Sequence, residues 1–168
     1  MKSIFKLLFV AFLTVDPLTV NAQSNVANIN VQQLISEMPE VIAAQNELAK
    51  LEKDYTTQID NAFKEFQTKA QSYSSDAANQ TDVTNQARQK ELESMQTNLQ
   101  EFRDSAAQEL QKKQMDLMTP LLEKARNAIT KVGEEQGFNY VIDSSPNGGI
   151  ILANGKDLLA DVKKELGF

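Results

Sequence analysis

The chain has 168 residues, of which 41% are hydrophobic and only 7% aromatic, and its formal net charge at pH 7 is −6. It contains no Cys, His or Trp. The lack of Cys excludes disulfides and thiol catalysis, and the lack of His removes the commonest metal ligand and general base. The acidic balance argues against nucleic-acid binding, which needs a basic surface. We therefore expect neither an enzyme nor a protein with a metal, cofactor or small-molecule substrate.

Residues 1–22 have the pattern of a secretory signal peptide. Lys2 and Lys6 precede an apolar run from Leu7 to Val15, and Val20-Asn21-Ala22 is a small-residue cleavage pattern. The run is too short to span a bilayer as a stop-transfer helix, although an N-terminal membrane anchor is the alternative interpretation. Cleavage at this site predicts a soluble protein in an extracytoplasmic compartment such as a bacterial periplasm.

The next segment predicts a short strand followed by a short helix. Apolar and polar residues alternate from Val26 to Val31, as in a half-buried strand. Asn30 can cap a helix that continues to Met38. Pro39 then either begins a second helix or kinks a continuous one.

Residues 39–136 predict a long antiparallel helical hairpin, called the arm below. Apolar residues recur at alternating spacings of three and four, which is typical of a coiled-coil seam. The polar stretch 74–82 predicts the tip, where Thr81 or Asp82 can cap the returning helix. The seam weakens at Lys113-Gln114, and Pro120 removes a helix hydrogen bond, so we expect a kink there.

Aromatic side chains on the arm are candidates for binding another polypeptide. Their spacing coincides with the seam, so packing between the two helices is the favoured interpretation. These residues are Tyr55, Phe63, Phe66, Tyr73 and Phe102.

The C-terminal residues predict a second part of the sheet and a closing helix. Gly137 ends the returning helix, and Phe138 to Asp143 predicts a strand. A turn-rich loop then leads to a third strand, Ile150 to Ala153, which would form a hairpin with the second. Asp157 is expected to cap a helix from Leu158 to Leu166 that Gly167 closes.

Residues 23–38 and 137–168 together form the predicted body of the molecule. Three short strands and two short helices bury too little apolar surface to be stable alone. We therefore expect the body to assemble with other copies of the chain. The predicted interface residues are Ala27, Ile29, Val31, Tyr140, Ile142, Ile150 and Leu152.

Four motifs in this order resemble the Skp/OmpH family of periplasmic chaperones. They are Ile29 to Glu40 (a strand, then a short helix ending in Pro-Glu), Met118 to Ala125, Gly137 to Asp143 and Asp157 to Gly167, and the resemblance covers essentially the whole mature chain. It implies an α+β, mainly α fold, with a coiled-coil hairpin projecting from a small β-sheet body. It also implies a homotrimer in which strands from three chains complete a β-barrel.

The resemblance further implies a holdase, a chaperone that binds unfolded proteins without refolding them. Three arms would surround a cavity that holds unfolded outer-membrane proteins and prevents their aggregation, with no cofactor. The best-known members are strongly basic, whereas this chain has a pI near 4.8. Its acidity argues against lipopolysaccharide binding and electrostatic capture of acidic proteins. The alternative is a structural coiled-coil scaffold of the cell envelope.

Overall fold

The structure, a computed structural model, describes residues 25–146 and 148–168. The predicted signal peptide lies outside these residues. The predicted α+β, mainly helical architecture is confirmed: two long antiparallel helices extend from a small sheet with two short helices. In chain order the elements are β1 (Val26–Ile29), α1 (Val31–Glu37), α2 (Pro39–Asp76), a 3₁₀ turn (Ala77–Asn79), α3 (Asp82–Glu135), β2 (Tyr140–Asp143), β3 (Lys156–Asp157) and α4 (Leu159–Leu166).

Side-chain caps start α1 and α3 at the residues that the sequence predicts. The Oδ1 atom of Asn30 accepts a hydrogen bond from the Gln33 amide at 2.9 Å and starts α1. Thr81 Oγ1 does the same for α3 by accepting from the Thr84 amide at 3.2 Å. Met38 has an extended backbone, because the residue before a proline disfavours the helical region, so Pro39 begins a new helix.

The arm contains few fully buried side chains, and polar contacts between its helices supplement them. On α3, Leu99 and Ala106 are buried in the part of the arm away from the body, and the other buried residues of this helix lie from Ala125 onward, next to the sheet. At the predicted weak point, Lys113 Nζ lies 2.7 Å from Glu47 Oε1, so an ion pair joins the helices there. The helix α3 continues through Pro120, and the kink predicted at this residue stays a prediction.

The sheet differs from the prediction in its third strand. Its order is β2-β1-β3, and both pairings are parallel, with Val26 opposite Tyr140 and Ala27 opposite Lys156. The predicted strand from Ile150 to Ala153, and with it the hairpin, is wrong. After β2 the chain instead crosses to the opposite edge of β1, where Lys156–Asp157 pairs with it as β3.

Close packing at Gly155 explains the position of β3. A Cβ atom on this residue would lie 2.5 Å from the carbonyl oxygen of Val26, so only glycine allows this approach. The Asn28 side chain, almost fully buried, donates from Nδ2 to the Gly155 carbonyl at 2.8 Å. The peptide groups of β1 therefore find partners along both edges.

The core lies where the sheet meets α1, α4 and the end of the arm nearest to them. Its side chains are small or aliphatic, consistent with the low aromatic content. The buried members are Ala27, Ile29, Leu34, Met38, Val41, Ala125, Ala128, Val132, Leu158 and Val162.

Candidate interaction surfaces

The predicted interface residues of the body divide into buried and exposed groups. Ala27 and Ile29 are 0% and 1% exposed, because the helices of their own chain cover them. A side chain that is buried in its own subunit cannot also contact a second copy. These two residues are therefore no longer candidates for the interface. Val31 and Ile142 are half-buried.

The remaining residues lie on the surface of the body. Tyr140 is 62% exposed and Leu152 is 74% exposed, while Ile150 is 40% exposed. Sequence reasoning missed Ile151, which is fully exposed. The predicted strand leaves this residue out, because alternate side chains of a strand point to opposite faces, and Ile150 and Leu152 are assigned to the interface face. We call residues 150–152 the apolar loop.

The apolar loop is tied to the middle strand on both sides. Ser144, before the loop, donates from Oγ to Asn28 Oδ1 at 3.2 Å. Gly155, after the loop, accepts from the other end of the same amide group. One buried side chain thus contacts a residue before and a residue after this exposed hydrophobic segment.

A groove of about 600 Å³ lies between β2 and α3. Within the described residues β2 pairs on one side only, with β1, so its outer edge faces this region. An unpaired strand edge is a template for pairing with another chain. The apolar side chains in the groove include Val31, Ile35, Leu122, Ile129, Phe138 and Val141.

Asp143 organises the chain where β2 ends. Burial opposes ionisation of its carboxyl group, but hydrogen bonds from the Ser145 hydroxyl, the Ser145 amide and the Val31 amide outweigh it and hold its pKa below the ordinary value. The Ser145 hydroxyl lies 2.5 Å from this carboxylate. These contacts are structural, and they fix the path from β2 into the loop that follows.

Most of the candidate aromatic residues of the arm pack between its helices, as the favoured interpretation predicts. The rings of Tyr55 and Phe102 meet edge to face with centroids 6.1 Å apart, and the Tyr55 hydroxyl donates to Glu109. The Tyr73 hydroxyl donates to Glu91 on the opposite helix at 2.6 Å.

Phe63 differs from these aromatic residues because it is 39% exposed. It stacks on Phe66, one turn along α2, with ring centroids 6.5 Å apart. The guanidinium of Arg103, on α3, lies 6.0 Å from the Phe63 ring centroid. A depression of about 480 Å³, called the arm groove below, is lined by Phe63, Phe66, Gln96, Thr97, Leu99, Gln100 and Arg103.

A cluster of charged and amide groups holds the tip of the arm. Arg88 Nη2 donates to Asp76 Oδ2 at 3.0 Å, and Gln80 donates to the same oxygen at 2.7 Å. The Arg88 guanidinium also lies 4.7 Å from the centroid of the Tyr73 ring. This arginine, with help from Asn79, holds the pKa of the Asp76 carboxyl below its ordinary value.

In residues 25–146 and 148–168, no group of three or more acidic side chains could hold a metal ion. The helices in the same ranges also lack a segment long and apolar enough to cross a membrane.

Comparison with known proteins places this architecture in context. The family model described as outer membrane protein (OmpH-like) matches residues 25–166. The chaperone protein Skp of Yersinia enterocolitica is 26% identical over 148 residues, which cover 85% of this chain and 86% of Skp. Skp of Pectobacterium atrosepticum is 21% identical over 148 residues, which cover 88% of each chain. The crystal structure of an OmpH-like protein from Caulobacter crescentus CB15 superposes with a TM-score of 0.77 at 12% identity, covering 86% of this chain and 85% of the other.

Proposed function

The chain belongs to the OmpH-like outer membrane protein family, and from this membership we propose that it is a chaperone for outer-membrane proteins. The observation that carries the proposal is the match over residues 25–166, which includes both the arm and the body. Its curated relatives of similar length are Skp chaperones. The unfolded proteins that it would protect are called clients below.

We propose that the chaperone acts as a homotrimer assembled through the body. The apolar loop leaves Ile151 and Leu152 almost entirely in solvent, and such a patch is typical of an interaction site. The groove beside β2 and the free edge of that strand offer a surface for the loop of another copy. Because loop and groove are different surfaces, the contact would be head-to-tail, and repeating it can close a ring.

The mechanism that we propose is encapsulation between the arms. One arm alone is a two-helix hairpin and encloses nothing, whereas arms projecting from a ring surround a space. Transmembrane β-barrel clients expose alternating apolar side chains until they insert. A client held between arms is kept from aggregating by many weak contacts, and no covalent step or cofactor is needed.

We propose that this happens in the periplasm after removal of residues 1–22. The compartment suits clients that cross it on the way to the outer membrane. The mass of the protein purified from a periplasmic fraction tests this part. Cleavage at the predicted site gives a chain that begins at Gln23, and retention of residues 1–22 would contradict it.

An aggregation assay tests the proposed function. A β-barrel membrane protein is diluted from denaturant into buffer with or without the mature chain, and light scattering is recorded. We expect scattering to fall as the chaperone approaches one trimer per client. Equal scattering with and without the chain would contradict the proposal, and lysozyme at the same concentration controls for non-specific effects.

The scaffold alternative predicts a different solution shape. A structural coiled coil would associate along its arms into a rod, whereas a chaperone of the proposed type has splayed arms around a cavity. Small-angle scattering of the mature chain distinguishes the rod from the splayed-arm shape. Adding client should change the scattering profile of the chaperone and leave that of a scaffold unchanged.

A further inference from the structure

We propose that the arm groove is a binding site for an aromatic side chain of an unfolded client segment with a carboxylate beside it. The inference rests on the proposed chaperone function and adds a location and a chemical class to it. It starts from Phe63, an exposed aromatic residue of a seam in which the other candidate aromatic side chains are half-buried.

The geometry of the groove suits a flat apolar side chain. Its lining includes the buried Leu99 and the stacked rings of Phe63 and Phe66. Its volume of about 480 Å³ exceeds that of one aromatic side chain. Aromatic rings are stabilised by pairing with one another, beyond the area that they bury, so a third ring is favoured over an aliphatic side chain.

The charge of the groove suits a carboxylate. Arg103 is the only charged residue among its lining residues, all of which the structure describes. Elsewhere on the arm, Lys69, Arg88 and Lys113 form salt bridges with acidic residues. Other bases such as Lys64 and Lys90 form none within the described ranges, but they do not line the groove. Within the described ranges Arg103 has no carboxylate within 4.0 Å. It is therefore an available cation on an acidic protein.

The occupant follows from combining the two features. An aromatic ring in the groove places its neighbouring residue near the guanidinium, and an aspartate or glutamate there would form an ion pair. A lysine at that place would be repelled. The Gln96 side chain on the rim supplies an amide that can bond the extended backbone of the client.

The test uses the fluorescence of the ligand, because the chain itself contains no Trp. Unstructured peptides with a single Trp beside Asp, or beside Lys, are titrated with the mature full-length chain. We expect tighter binding of the Trp-Asp peptide. Phe63→Ala should weaken it about fivefold, and Phe63→Leu, which keeps an apolar side chain, about threefold.

Arg103→Gln should weaken the Trp-Asp peptide about threefold and leave the Trp-Lys peptide unchanged or slightly tighter. The matched controls are Met115→Ala, which removes another exposed apolar side chain of the arm, and Lys90→Gln, which removes another base. Circular dichroism verifies that each variant keeps its helices. Equal binding by the Phe63 and Arg103 variants and the controls would overturn the proposal, as would equal affinity of the wild-type chain for both peptides.

The aggregation assay, run in parallel, separates this inference from the proposed function. If the wild-type chain protects a β-barrel protein but the variants bind both peptides like the controls, the arm-groove assignment fails and the chaperone function stands. If the wild-type chain protects no client, the proposed function fails independently of the peptide result.

Discussion

Gly133 lies in α3 where this helix passes over β2, and it has no side chain to hold the two elements apart. A Cβ atom there would be 2.8 Å from Cγ2 of Val141, which is closer than van der Waals contact allows. The residue is buried. A glycine that looks unfavourable within a long helix thus allows the helix and the sheet to pack closely.

We predict that Gly133→Ala lowers the free energy of unfolding. Alanine favours a helix over glycine by about 1 kcal/mol, but overpacking a core costs about 1–3 kcal/mol, so the net loss should be about 1 kcal/mol. Urea denaturation followed by circular dichroism, at one protein concentration, measures it. In a chain that already carries Val141→Ala the overlapping methyl group is absent. Adding Gly133→Ala to that chain should therefore lower the free energy of unfolding less than it does in the wild-type chain. An increase in stability for the single variant would contradict the packing account.

At the scale of elements, the tip shows how polar groups can close a long hairpin. Asp76 ends α2, Arg88 lies in the first turns of α3, and the salt bridge between them spans the turn. One turn further from the tip, Lys69 and Tyr73 both contact Glu91 and hold the pKa of its carboxyl below the ordinary value. These contacts replace the apolar packing that the tip lacks.

We predict that the tip loosens in acid. The pKa values of Asp76 and Glu91 are lowered by folding, so their contribution is complete above the unfolded-state pKa and is lost as the pH falls through the folded-state pKa. The loss should begin near pH 4 and continue below it. Hydrogen exchange by mass spectrometry measures the protection of residues 73–91. Asp76→Asn should exchange faster than wild type at neutral pH, and the difference should disappear once the pH is below the folded-state pKa of Asp76.

The control for this prediction is Glu52→Gln, which changes an exposed carboxylate of α2 far from the tip. Its exchange in residues 73–91 should follow the wild-type protein at both pH values. Equal exchange by Asp76→Asn and wild type at neutral pH would show that the cluster does not hold the tip.

The helices could be predicted from the sequence because their signals are local. The seam repeats every three or four residues, and Asn30, Pro39 and Thr81 mark starts that the structure places at the same residues. The first two strands of the sheet could also be predicted from local patterns, but the third could not. Its third strand is Lys156–Asp157, two polar residues without alternation, whereas the segment with strand composition forms the apolar loop.

The candidate surfaces were predictable in composition but not in orientation. Tyr140 and Leu152 are exposed as a surface role requires, while Ala27 and Ile29 are covered by helices that pack on them from distant parts of the sequence. On the arm, the exposure of Phe63 depends on how the two helices are rotated about their shared seam. Rotation is a property of the packed pair, and spacing along one helix does not determine it.

At the scale of the whole molecule, we predict that the apolar loop is needed for trimer formation. The double variant Ile151→Asp/Leu152→Asp should fold as a monomer, because both side chains are exposed in a single chain and charges there oppose burial between chains. Native mass spectrometry should report a trimer for the wild-type chain and a monomer for the variant. Val83→Asp, at another exposed apolar residue, should remain trimeric. A trimeric double variant would rule out this loop as the contact.

The central position of β1 has a consequence for the order of folding. This strand is near the beginning of the described chain, yet both of its partners lie beyond the arm, with Ala27 opposite Val141 and Lys156. Closing so large a loop is entropically costly, whereas the arm can form from neighbouring turns. During synthesis, β1 therefore stays unpaired until the last part of the chain has been made. A truncated chain could form an arm but not the sheet, so assembly through the body would be restricted to complete molecules.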